Sequence, residues 1–207
     1  MTYDSPPRNL TSLNQRLRNL AGGDDLVLRR RTTMALVIVG QMLPAAAVKG
    51  GSALALRYGS ETRFTRDLDA ARLGSLTAFR SDFEERLRGG WCGFTGRLIE
   101  RTPPRPEGVP ARYVMMPFEV KLDFEGRAWC TVPFELSDNE LGDADATVLA
   151  LAPNIAALFT DLGFEPPTPV PVVPIEHQIA QKIHASTAPG SDRARDLVDL
   201  QLLATRE

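Results

Sequence analysis

Two carboxylates one residue apart, Asp67 and Asp69, follow a Lys49-Gly50-Gly51-Ser52 turn. Side chains two apart on a strand project from one face, so the pair can share a hard cation of the kind that also holds substrate phosphates. A glycine turn that opens a helix offers backbone N–H groups to an anion, and Ser52 adds a hydroxyl. An acid pair beside a phosphate cradle equips a chain for chemistry on a nucleoside triphosphate.

Asp-x-Asp alone says little, because the chain holds fourteen aspartates and Asp143-Ala144-Asp145 is a second copy. That copy lies in a polar stretch, 137–145, with no strand pattern, and reads as a solvated loop. The first copy differs by its setting, with the glycine turn upstream and a helical run downstream. Glu135 adds a third acid: it is the only charge between Ala128 and Leu136. A lone carboxylate in an apolar strand is costly without a partner, and a metal ion would be one.

The elements that must position these groups can be read in order. Helices are expected over 13–20, ended by Gly22-Gly23, and from Asp24 or Asp25 to about Leu43, where Pro44 stops the second. A strand over 47–49 enters the glycine turn, a helix runs over 52–58, and a strand over 65–70 carries the acid pair. Ser75 caps a helix to Arg88 with Leu76, Phe79, Phe83 and Leu87 on one stripe. A strand over 94–101 and a proline-rich loop over 102–110 precede two longer strands, 113–124 and 128–136, joined at Glu125-Gly126-Arg127. In the first of these, Glu119, Lys121 and Asp123 alternate with Val120, Leu122 and Phe124, which makes a solvent-facing side. The proline-rich segment 153–174 reads as a semi-rigid connection. A helix over 175–187 with Ile175, Ile179 and Ile183 on its packed side follows, then a break at 188–191 and a last helix over 193–204.

Composition bounds the rest. A chain of 207 residues can bury a full core. No apolar run reaches the length of a membrane span and no signal-peptide pattern opens the sequence, which predicts a cytoplasmic protein. Cys92 and Cys130 lack metal-ligand spacing and read as small core residues in a reducing compartment. Residues 1–66 carry ten Lys/Arg against four acids, whereas 107–165 carry eleven acids against three bases. A basic end beside an anion site can guide a polyanion such as RNA. Only three lysines occur among the basic residues, Lys49, Lys121 and Lys182, against twenty-one arginines. No exposed apolar heptad or long edge strand stands out, so a monomer is expected.

Three blocks together resemble the AbiEii family of nucleotidyltransferase toxins. They are Lys49-Gly50-Gly51-Ser52 with Leu54, Leu56 and Arg57; Arg63-Phe64-Thr65-Arg66-Asp67-Leu68-Asp69; and Ile179-Ala180-Gln181-Lys182-Ile183-His184-Ala185 with Arg195-Asp196-Leu197-Val198-Asp199-Leu200. The resemblance, which extends to mycobacterial toxins that modify transfer RNA, implies an α+β chain with the polymerase-beta-like nucleotidyltransferase fold. That fold is a mixed sheet flanked by helices, here with a short C-terminal helical part. It implies a nucleotidyltransferase domain over 1–152, the connection over 153–174, and a helical part over 175–207 that completes the active site.

The resemblance also implies roles. Gly50, Gly51 and Ser52 would hold the triphosphate of an NTP, with Lys49, Arg57 and Arg66 as further nucleotide or RNA contacts. Asp67 and Asp69 would carry Mg²⁺ (Mn²⁺ would also serve), with Glu135 preferred over Asp123 as third ligand. Lys182 would neutralise the β- and γ-phosphates, and Asp196 would orient that lysine or the nucleotide. His184 reads as a packed or capping residue rather than a base. Members often continue with further helices after the third block, whereas this sequence stops at Glu207, as a compact member or a shortened form would; if those helices grip the acceptor, affinity or substrate range would be reduced. The expected reaction is transfer of a nucleoside monophosphate to the 3′ end of transfer RNA, which halts translation and calls for an antitoxin partner. Competing readings are the same chemistry on a small molecule or a protein hydroxyl, and a non-catalytic nucleotide- or RNA-binding regulator.

Overall fold

The computed structural model describes residues 2–104, 114–139, 142, 144–187 and 192–206. Helix α1 (Leu10–Leu20) begins where the Asn9 side chain accepts from the Ser12 N–H, and it buries Leu13 and Leu17. Helix α2 (Asp24–Met42) is polar in its first half, while Met34 to Gly40 is buried throughout. A segment apolar on every side must run through a core rather than over one.

Strand β1 (Ala46–Lys49) leads into α3 (Gly50–Tyr58), and a 3₁₀ turn at Gly59–Glu61 precedes β2 (Leu68–Arg72). Helix α4 (Leu76–Gly89) starts where the Ser75 side chain accepts from the Ala78 N–H, and it buries Phe79, Phe83 and Leu87. The rings of Phe79 and Phe83 meet Phe134, which brings α4 down onto the sheet. Strands β3 (Phe94–Glu100), β4 (Met116–Phe124) and β5 (Arg127–Ser137) form a meander. Its second turn places Glu125 and Gly126 at positive φ, as the Glu-Gly pair predicts. Then come β6 (Val148–Ala150), α5 (Pro153–Asp161), β7 (Val170–Val172), α6 (Ile175–Thr187) and α7 (Ala194–Arg206).

Among the described residues these strands make one mixed sheet in the order β3-β4-β5-β2-β1-β7-β6. Strand β2 lies between antiparallel β1 and parallel β5. The expected α+β architecture, a mixed sheet flanked by helices, is therefore present. No helix among the described residues is long and apolar enough to cross a membrane.

Five expectations are corrected. The 153–174 segment contains α5 and β7. Strand β7 tolerates Pro171 because this short strand has little ladder to disturb. Helix α6 does not pack on its isoleucines: Gln178 and Lys182 are buried, whereas Ile183 is 47% exposed. Its polar face turns inward because partners for those groups wait there. Cys92 is exposed, at φ 47 in the turn before β3, and Cys130 is half-buried. His184 is exposed rather than packed. Strand β2 also starts at Leu68, later than the 65–70 pattern suggests. Asp143 of the second acid pair, the 188–191 break, Tyr113 and most of the 102–110 loop lie outside the described residues.

Candidate active site

Sheet register assembles the acidic half of the site. Lys49 on β1 sits opposite Asp69 on β2, and Asp69 sits opposite Glu135 on β5. Facing residues on neighbouring strands project from the same side, so these three form one row across the sheet. Asp67 lies just ahead of β2, where its carboxylate accepts from Thr65 Oγ1 at 3.0 Å. Asp67, Asp69 and Glu135 all line one cleft of about 680 Å³. Glu135 is exposed to that cleft rather than buried in the strand. Burial pushes the Asp69 carboxyl up to about 7, and the nearby charges of Asp67 and Glu135 add to it, against the pull of Lys49 and Lys182.

The glycine turn brings the first turn of α3 against that row. Gly50 has φ 63, and a methyl group there would overlap the Asp69 carboxylate. A methyl on Gly51 would stand 2.9 Å from an Arg63 nitrogen and 3.0 Å from Thr65 Oγ1. Gly50 is thus required by its backbone and by close approach, whereas a side chain at Gly51 would have to displace Arg63 and Thr65. No side chain caps α3, so its first N–H groups remain available beside Lys49, Gly50 and Gly51, which line the cleft. Ser52 behaves differently from expectation. Its hydroxyl donates to the Lys49 carbonyl at 2.9 Å and accepts from the Asp69 N–H at 3.3 Å. It is 1% exposed and staples the glycine turn to β2.

The cationic half comes from the C-terminal helices. Lys182 Nζ donates to Asp196 Oδ1 at 3.0 Å and to Asp199 Oδ2 at 2.6 Å. Asp199 also accepts both arms of a bidentate bond from Arg63, at 2.9 and 3.1 Å. One buried carboxylate therefore clamps an arginine from the 63–67 segment to the lysine of α6. Gln178 donates to the Val173 carbonyl at 3.0 Å, and Arg57 reaches the same carbonyl at 2.7 Å. Those bonds fix the start of α6 against α3. Lys182, Asp196 and Arg63 line the same cleft as the acid row.

The model of the family described as nucleotidyl transferase AbiEii toxin, type IV TA system, matches residues 39–207. The chain belongs to the AbiEii family. Membership makes it a nucleotidyltransferase toxin of a toxin–antitoxin system, and implies an NTP substrate and an antitoxin partner. No curated protein matches it. Among solved structures it is similar to an antigenic nucleotidyltransferase-like protein from Paracoccidioides brasiliensis, at 16% identity over 84% of this chain and 76% of that one. The TM-score of that pair is 0.45, too loose for any point to rest on it.

In this AbiEii-family chain, Lys49, Gly50, Gly51, Asp67, Asp69, Glu135, Lys182 and Asp196 meet around one cleft, but three expected contacts do not join them. Ser52 and Arg57 are turned to internal hydrogen bonds. Arg66 is exposed, stacked over Phe64 at 5.2 Å, and borders a separate cavity. Asp123 pairs with Thr95 and Ala128 at the far end of β4, so Glu135 is the acid beside the pair. Arg63 and Asp199 are the residues that sequence reasoning passed over. Asp199 stands three residues after Asp196, on the same helix face, and that spacing was the available signal.

Among the described residues no three acids, histidines or cysteines form a ready-made ion cage. Magnesium does not require one: it takes one or two carboxylates and completes its octahedron with water and substrate phosphate oxygens. Burial and the two neighbouring acids that raise Asp69 mark the same spot, since a cation would relieve the charge of all three. The donor set therefore fits Mg²⁺ on Asp67 and Asp69, with Glu135 beside them.

Proposed function

We propose that this toxin is an Mg²⁺-dependent nucleotidyltransferase that moves a nucleoside monophosphate from NTP to the 3′ end of transfer RNA and so blocks translation. The observation that carries the reading is the row Lys49–Asp69–Glu135, with Asp67 beside it and Lys182 on the other wall of one cleft.

The first turn of α3 and its two glycines would bind the triphosphate through backbone N–H groups. Lys182, gripped by Asp196 and Asp199, would hold its ammonium against the departing pyrophosphate. Arg63, fixed by the same Asp199, would add a second cation on that side. Asp67 and Asp69 would hold the metal (Mn²⁺ would also serve), which would supply positive charge beside the α-phosphate and lower the pKa of the attacking hydroxyl. The acceptor hydroxyl would give its proton to water in the open cleft as its oxygen bonds to the α-phosphorus, the bond from that phosphorus to the bridging oxygen of the β-phosphate breaks, and pyrophosphate departs with that electron pair.

Segment 175–207 then completes the active site of the 1–152 part, across 153–174. A monomer belongs to the same proposal, and NTP with transfer RNA favours the cytoplasm as its place of action. Purified transfer RNA incubated with Mg²⁺ and one NTP should shift by whole nucleotides, and Asp69→Ala should abolish the shift. Pyrophosphate release without any change in RNA would assign a small-molecule or protein acceptor instead.

A further inference from the structure

A second cavity, of about 410 Å³, opens between α2 and β5 next to the acid row. Its origin is the late start of β2. Leu68 stands opposite Phe134, so β5 from Arg127 to Pro133 has no β2 residue beside it. Helix α2 covers that gap incompletely, and the space between is the cavity.

Its charge is one-sided. Arg31 and Arg66 line it with Thr32 and Thr131, and among the described residues no acid lines it. Neither arginine has an acidic partner among the described residues. Arg31 donates to the Trp129 carbonyl and lies over the Trp129 ring, while its buried Nε has no hydrogen-bond partner among the described residues. A buried guanidinium donor without an acceptor is costly, and an anion is an acceptor that also matches the guanidinium charge.

Its position says which anion. Thr131, Pro133 and Glu135 alternate along the exposed side of β5, so the cavity lies two to four residues from the acid row. At about 3.3 Å per residue that is roughly 7–13 Å, the reach of a strand whose end sits in the first cleft. Arg66 is also the direct neighbour of Asp67 in the chain.

We infer that the cavity between α2 and β5 is a subsite for backbone phosphates of a single-stranded acceptor RNA, upstream of the end that reacts, with Arg31 and Arg66 as its cations. This inference rests on the proposed RNA acceptor. Such a site would act by charge rather than by base identity.

The test is binding of a fluorescent single-stranded RNA, without NTP, to the full chain over a range of salt. Arg66→Gln, an exposed position, should weaken binding about tenfold and lower the salt slope by about 0.7, one phosphate contact. Arg31→Lys, which keeps the charge, should leave the salt slope near wild type. Affinity for NTP should stay unchanged in both. An unchanged RNA affinity and slope in Arg66→Gln, in a protein that still labels RNA, overturns the subsite and leaves the proposed function standing. A wild-type protein that binds no RNA, yet releases pyrophosphate with another acceptor, overturns both. Loss of binding to poly-glutamate with RNA binding intact overturns the subsite in favour of an acidic protein partner.

Discussion

Lys182 Nζ lies 2.6 Å from Asp199 Oδ2, and the same carboxylate holds Arg63 by two bonds, so one buried acid sets the position of both cations. Removing one member of a buried ionic group strands the others without compensation. Asp199→Ala should therefore lower stability by about 3–5 kcal/mol, read from denaturant melts. Lys182→Met strands the same acids, so it should also lose stability and, where it still folds, lower turnover by about a hundredfold or more, the scale of one lost charge-stabilising donor. A melt of Asp199→Ala indistinguishable from wild type would show that the clamp is not what orders this wall.

Asp69 reverses the usual relation between mutation and stability. Its carboxylate is crowded by Asp67 and Glu135 and held partly out of water. Asp69→Asn keeps the shape and removes the charge. Nucleotide transfer should vanish, while the metal-free protein should melt at a higher temperature than wild type at pH 8. A lower melting temperature would mean that the Asp69 charge is already well compensated by Lys49 and Lys182.

The pH dependence has a definite sign. The folded chain keeps the Asp69 proton to about pH 7, whereas an ordinary aspartate loses it near 3.8. Between those values the folded state binds more protons than the unfolded state, so this group's contribution to stability falls as pH rises. The stability gap between Asp69→Asn and wild type, without metal, should widen from pH 5 to pH 8. Metal affinity should move oppositely, strengthening as pH rises through 7, because ligation needs the carboxylate. Calorimetric titration with Mn²⁺ at pH 6 and pH 8 checks the second half.

Gly50 and Gly74 separate backbone strain from close approach. Both have positive φ, 63 and 77, but a methyl on Gly50 would overlap Asp69, whereas nothing lies within 4 Å of one on Gly74. Both alanine variants should lose about 1–2 kcal/mol from the left-handed backbone. Only Gly50→Ala should also lose metal binding and transfer. Equal behaviour in the two would remove the glycine turn from the site.

Much of this arrangement was legible in the residues themselves. The phenylalanine stripe of α4, the turn at Glu125-Gly126 and the apolar end of α2 are periodic or local signals, and local signals survive folding. The glycine turn and the acid pair were readable for the same reason, and the resemblance supplied Lys182 and Asp196. What could not be read was long-range pairing. Ile175, Ile179 and Ile183 looked like the packed face of α6, yet ion pairs with Asp196 and Asp199 turned the opposite face inward. Arg63 meets Asp199 across 136 residues of chain, which no spacing rule encodes. Ser52 and Arg57 had residue types suited to phosphate, but backbone groups at Lys49, Asp69 and Val173 claimed them.

The most direct measurement follows the two ends of the triphosphate separately. Transfer RNA is incubated with Mg²⁺ and NTP labelled at either the α- or the γ-phosphorus, using wild type and Asp69→Ala. The α-label should become covalently attached to RNA, the γ-label should leave as pyrophosphate, and the variant should transfer neither. Attachment of the γ-label, or attachment of the α-label that persists in Asp69→Ala, would contradict nucleotidyl transfer at this acid row.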